Sequence, residues 1–320
     1  MTVFFHILNH NIVPIFLIII LGYLLNKKFD LHIHSLSKLL FYLIVPSFIF
    51  VNLYTSTLQL ELFNVLICGI LMLITNDIIS RFIARIRGYN VGLTNAFKNS
   101  VMFNNSGNIG ISLITLVFTS APFVIDGKTP YLHEAITAQI IILVLQNITT
   151  NTIGFYNAGK ATMSTRKSLA QILGMPSIYA IPIALILKNT SIDLTTTTLW
   201  PALEYLKNAL VPMSLITLGV QLSKTCFDFR NPEVYLSTFI KLMISPLIAL
   251  VYIHMLGFTG AVAQTIFIAH AVPTAVNTAL IAVECDNNQD FASQAVMMST
   301  IASAVTLTFA IYIARIIFPV

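Results

Sequence analysis

Apolar residues run through this chain in long blocks, and polar residues gather in the short gaps between them. Blocks of spanning length fall at about 5–25, 36–56, 60–82, 95–119, 131–155, 168–188, 198–222, 234–256, 260–284 and 291–316. None alternates with a period of two, and each is too long for a barrel strand, so helices are predicted. A span takes about 20 apolar residues, which leaves roughly 11 residues for each loop or tail. The pattern predicts an all-α polytopic membrane protein with ten transmembrane helices and no separate soluble domain.

The polar gaps carry two further signals. Lys27, Lys28, Lys38, Arg81, Arg85, Arg87, Lys98, Lys160, Arg166, Lys167, Lys224 and Arg230 fall in the gaps after spans 1, 3, 5 and 7 or beside them. The other side has Lys128, Lys188, Lys207 and Arg315. Basic loops stay in the cytoplasm, so both termini are expected outside a multi-pass cell membrane, the inner one in a Gram-negative bacterium. The longest charged connector divides the chain into a first five-helix unit (1–156), a linker (157–167) and a second unit (168–320). Val45-Pro46 centres the second span of one unit, and Val211-Pro212 the second span of the other. Asn104-Asn105-Ser106-Gly107-Asn108-Ile109-Gly110 interrupts the fourth span of the first unit, and Pro273-Thr274-Ala275-Val276-Asn277 that of the second. An odd number of spans per unit turns the second copy over. Two inverted five-helix repeats with interrupted, crossing helices 4 and 9 are a transporter pattern.

Composition narrows the function classes. The chain is 57% hydrophobic and 9% charged, with a mean hydropathy of +0.85. Too few polar side chains remain to cover a soluble globule, so the lipid bilayer is the expected surroundings. The net charge of +5 sits in short loops, where it orients the protein rather than binding nucleic acid. Cys68, Cys226 and Cys285 are widely spaced and form no redox or metal motif. No phosphate-binding loop, no HExxH and no GxSG is present. A non-enzymatic protein without a cofactor or metal is therefore expected. The first apolar run has no basic residue before it and Lys27 and Lys28 after it, which marks an uncleaved span rather than a secretion signal.

The interruptions point to chemistry. A segment with three asparagines and two glycines cannot face acyl chains, because its polar groups would go unsatisfied. Pro273 removes a helical donor. Each break starts a second half-helix with free N–H groups and about half a positive charge. Two such ends meeting near mid-membrane would suit a carboxylate or another small anion. The candidate substrate site is Asn104, Asn105, Asn108, Gly107, Gly110, Pro273 and Asn277, with Gln139 and Gln146 on span five able to add amides. Lys241 inside span eight either snorkels to the surface or supplies a counter-charge. His270, one turn before Pro273, could carry a proton or simply pack. Asp77, the third candidate for coupling or counter-charge, shares a face of span three with Arg81 and should pair with it. No carboxylate stands beside the breaks, so the residues assign neither a proton nor a sodium ion as coupling partner. A secondary active transporter of mono- or dicarboxylates working by alternating access fits this pattern. The alternative is a substrate-sensing receptor or a channel on a transporter frame.

Several stretches resemble the auxin efflux carrier family in its bacterial branch, the malonate-transporter-like permeases of bile acid/sodium symporter-like fold. Span two, Leu36 to Phe50, looks like that family's second span. Asn105-Ser106-Gly107-Asn108-Ile109-Gly110-Ile111-Ser112-Leu113 is similar to its N-x-G-x-x-G-I-P-L in span four. Leu215 to Gly219, Lys241 to Pro246, Ala271 to Asn277 and Ser299 to Ser303 resemble its spans seven, eight, nine and ten. The resemblance implies a scaffold from spans 1, 2, 6 and 7, often homodimeric, and a moving transport domain from spans 3–5 and 8–10. It implies small organic anions as cargo and puts Asn105 at the family's site asparagine. Ser112 and Thr278 stand where family prolines are expected, so both crossing helices are expected to bend less sharply.

Overall fold

The computed structural model describes residues 2–55, 62–159, 174, 176–190, 193–224 and 230–320. Lys160, Arg166, Lys167 and Cys226, with most of the linker 157–167, lie outside them. The described residues are helical, with two isolated β-bridges and no strand. In chain order the helices are α1 (2–29), α2 (33–55), α3 (Leu62–Arg87), α4 (Val91–Met102), α5 (Ser106–Phe118), α6 (Leu132–Ala158), α7 (Pro176–Lys188), α8 (Leu199–Asn208), α9 (Leu210–Leu222), α10 (Pro232–Met255), α11 (Gly260–Ala271), α12 (Asn277–Glu284) and α13 (Gln289–Ile317). The helices α1, α2, α3, α6, α10 and α13 are long and apolar enough to cross a bilayer alone. Shorter apolar helices lie at Ser106–Phe118, Tyr179–Lys188, Leu210–Leu222 and Gly260–Ala271.

The burial pattern is that of a protein dissolved in lipid. Along α3, Phe63, Ile67, Ile70, Ile74, Ile78 and Phe82 make an exposed stripe at helical spacing. The opposite face buries Asn76 and Ser80. Apolar groups face outward, and polar groups are gathered inside.

Prolines within the long helices are absorbed locally. Pro14, Pro46 and Pro246 each follow a wide π-helical turn, at Leu8–Ile12, Leu40–Ile44 and Ile240–Ile244. The α-helix resumes with the proline in its first turn, where a missing N–H costs nothing. Pro212 has a larger effect. It lies in the first turn of α9, and the chain turns at Ala209, so the expected span 198–222 is two helices.

Contacts fix which ends lie together. Phe4 and Phe309 rings are 4.9 Å apart, and Gln264 Nε2 donates to Phe318 O at 2.7 Å. These bring the start of α1, the start of α11 and the end of α13 to one face, here the terminal face. At the opposite face Arg87 and Tyr89 both bond Glu233, and Lys224 approaches Asp30 at 3.4 Å. Helices α1 and α9 touch backbone to backbone. A Cβ at Gly219 would lie 2.0 Å from Ile19 O, and one at Gly22 2.3 Å from Ile216 O.

Candidate functional site

Helices α4 and α11 both stop in the interior, and the chain segments that follow meet there. Asn104 and Thr274 form an antiparallel bridge. Asn105 N–H donates to Pro273 O at 2.8 Å, and Ala275 N–H to Phe103 O at 2.9 Å. The break in the first of these helices is therefore the extended stretch 103–105, not the whole of 104–110. Gly107 and Gly110 belong to a π-helical turn after it, at Ser106–Gly110. Gly110 permits a close approach instead, since a Cβ there would lie 2.6 Å from Gln139 Nε2.

Breaking a helix frees carbonyls that must find donors. Three of the freed carbonyls here receive a side chain. Ser100 O loses the Asn104 N–H to Gln146 Oε1 (3.0 Å) and accepts from Thr274 Oγ1 at 2.7 Å. Val101 O loses the Asn105 N–H to Pro273 and accepts from Lys241 Nζ at 3.0 Å. Ala269 O faces Pro273, which has no N–H, and accepts from Asn104 Nδ2 at 3.1 Å. Asn104 Nδ2 also meets His270 Nδ1 at 3.1 Å, and its Oδ1 accepts from Lys241 Nζ. Lys241 is 0% exposed, so it does not snorkel. Its Nζ lies where the C-terminal ends of α4 and α11 converge, and a cation is favoured there.

The N-terminal ends on the other side of the crossing are less satisfied. A cavity of about 30 Å³ is lined by Phe41, residues 104–108, Gln146, Asn147, Thr150 and residues 275–277. Among the described residues, the N–H groups of Gly107, Val276 and Asn277 have no acceptor. Asn105 Oδ1 caps Asn108 N–H at 3.3 Å, while Asn105 Nδ2 and Ser106 Oγ are buried without a partner. All five donors belong to residues lining this cavity.

The family model for membrane transport proteins matches residues 7–311, nearly the whole chain. The chain belongs to this membrane transport protein family. It is 24% identical over 305 residues to an "Uncharacterized transporter" of Methanothermobacter thermautotrophicus, covering 93% of this chain and 96% of that protein. Membership agrees with the resemblance to auxin efflux carriers carried by spans two, four and seven to ten.

Within this membrane transport protein the other candidates are placed as follows. Gln139 Nε2 donates to Ser106 O at 3.2 Å, and its Oε1 has no partner among the described residues. Pro273 and Asn277 lie at the ends of the second break. Asp77 is not among the residues lining the cavity at the crossing. It pairs with Arg81 at 2.6 Å, as the spacing predicts, and with Lys98 at 2.8 Å. Lys98, grouped above with the orienting charges, is buried in α4 and also donates to Asn157 Oδ1 at 3.0 Å. A paired, buried charge says nothing about orientation. The residues missed from the sequence are Thr274, Ser106, Asn147 and Thr150, with Ser299, whose Oγ accepts the Thr274 N–H at 3.2 Å. Only α6 gave a signal, since Gln139, Gln146 and Thr150 recur at helical spacing on one face.

Proposed function

We propose that this membrane transport protein is a secondary active transporter for a small organic anion, a mono- or dicarboxylate. The observation that carries the proposal is the set of five unpaired donors on the lining of one interior cavity, three backbone N–H groups with Asn105 Nδ2 and Ser106 Oγ. Two helix N-termini add positive potential there, and no carboxylate neutralises Lys241 across the crossing among the described residues. Each hydrogen bond to a charged group contributes about 1.5–3 kcal/mol. A few of them support binding weak enough to release the cargo again.

The cavity has room for about one water molecule. A carboxylate therefore needs α2 to part from α5 and α6, which is what alternating access provides. In this reading ten spans form two inverted repeats. Helices α1, α2 and α7–α9 are the scaffold, through which two copies pair, and α3–α6 with α10–α13 move against it. The described ion pairs support that division, because each lies within one body: Asp77 with Arg81 and Lys98, Arg87 with Glu233, and Lys224 with Asp30. The basic gaps at the opposite face put that face in the cytoplasm of a cell membrane. Purified protein should melt at higher temperature with a cognate carboxylate. Reconstituted vesicles loaded with that anion should then accelerate uptake of its labelled form. A melting shift with no such acceleration would mark a receptor and refute transport.

A further inference from the structure

The cavity at the crossing lies toward the opposite face. Phe41 comes from the half of α2 nearest that face, and Asn147 and Thr150 from the half of α6 that runs toward it. On the other side of the crossing, at the terminal face, one buried amide joins three helices. Asn11, in the π-helical turn of α1, is 0% exposed. Its Nδ2 donates to Leu116 O in α5 at 3.1 Å and to Ser120 Oγ at 2.9 Å. Its Oδ1 accepts from Arg315 Nη2 of α13 at 3.5 Å. The Arg315 guanidinium in turn lies 5.0 Å from the centre of the Phe123 ring, which packs on Phe118 with centroids 4.6 Å apart.

We propose that Asn11 is the latch of a gate at the terminal face, closed here while the cavity faces the opposite side. The inference rests on the alternating-access reading and names the contact that must break in each cycle. Asn11 belongs to the scaffold, and Leu116, Ser120 and Arg315 belong to the moving body. The bonds suit a latch that opens repeatedly. They are between neutral groups or to a guanidinium at long range, and water entering the parted face replaces each of them.

The test needs no substrate. Cys68, Cys226 and Cys285 are replaced, and Thr150→Cys reports on the cavity. A membrane-impermeant maleimide is added from either side of sealed vesicles. With Asn11 intact, Thr150 is buried and is labelled from the opposite face only as α2 parts from α5 and α6, at a measurable rate, and more slowly from the terminal face. Asn11→Ala should raise the terminal-face rate about thirtyfold, the factor set by losing two neutral hydrogen bonds of ordinary strength. Labelling from the opposite face that stays measurable shows that the variant is folded and inserted. In the second arm, Asn11→Cys with Ser120→Cys is oxidised, which should abolish terminal-face labelling until reduction restores it. Unchanged terminal-face labelling in both arms overturns the latch, as does failure of the two thiols to join. Because no anion takes part, a failed latch leaves the anion reading standing, and failed counterflow leaves the latch standing.

Discussion

Adjacent asparagines at the crossing should fail in opposite ways. Asn104 ties the two broken helices together. Its side chain donates to Ala269 O, meets His270 Nδ1 and accepts from Lys241 Nζ. Asn104→Ala strips a partner from three buried groups, at about 1–3 kcal/mol each, so about 3–6 kcal/mol in all allowing for partial relaxation. Asn105 has one internal bond, the cap on Asn108 N–H at 3.3 Å, and its Nδ2 has no partner. Asn105→Ala should cost about 1 kcal/mol, the worth of an N-cap. Two measurements are paired: thermal unfolding of the detergent-solubilised protein, and counterflow in reconstituted vesicles. Asn104→Ala should melt many degrees lower and reach the membrane poorly. Asn105→Ala should melt close to the parent and transport at under about a tenth of its rate, the loss of one charge-assisted bond. The reasoning fails if Asn105→Ala transports normally, or if Asn104→Ala melts like the parent.

Three further outcomes follow from the packing. Gly219→Ala places a methyl 2.0 Å from Ile19 O, so it must force α1 and α9 apart, at about 1–3 kcal/mol or more, and lower the melting temperature. Gly107→Ala, whose methyl would meet only Leu143 Cδ1 at 3.5 Å, should melt like the parent and serves as the control. Lys241→Met keeps the stem but removes both donors and the charge, so anion affinity should fall about tenfold or more in melting-shift titrations. Unchanged affinity would confine Lys241 to holding the end of α4.

The sequence displays the spans and the breaks because both are local signals. Apolar blocks of fixed length mark lipid-facing helices, and an Asn-Gly cluster or a mid-span proline marks a place where a helix cannot continue. Asp77 with Arg81 is legible for the same reason, being four residues apart on one helix. What the sequence does not display is the pairing of distant donors with freed carbonyls. Thr274 with Ser100 O and Lys241 with Val101 O join residues more than a hundred positions apart. Nothing in the neighbourhood of Lys241 distinguishes a snorkelling lysine from one that caps an interior helix end. Asn104 shows the cost of reading residue type alone. It looks like an open amide in the cluster, yet its partners occupy it, and the open amide is Asn105. Prolines mislead in the other direction. Pro46 and Pro212 look equivalent in sequence, but a π-helical turn absorbs the first and the chain turns before the second.

The most direct measurement is hydrogen exchange, followed by mass spectrometry, on peptides covering 103–110 and 273–281 with and without a carboxylate that raises the melting temperature. These segments hold the unpaired N–H groups of Gly107, Val276 and Asn277. The account predicts slower exchange in both segments when the anion binds. Exchange unchanged in both while the anion is bound, or no carboxylate that binds at all, would contradict it.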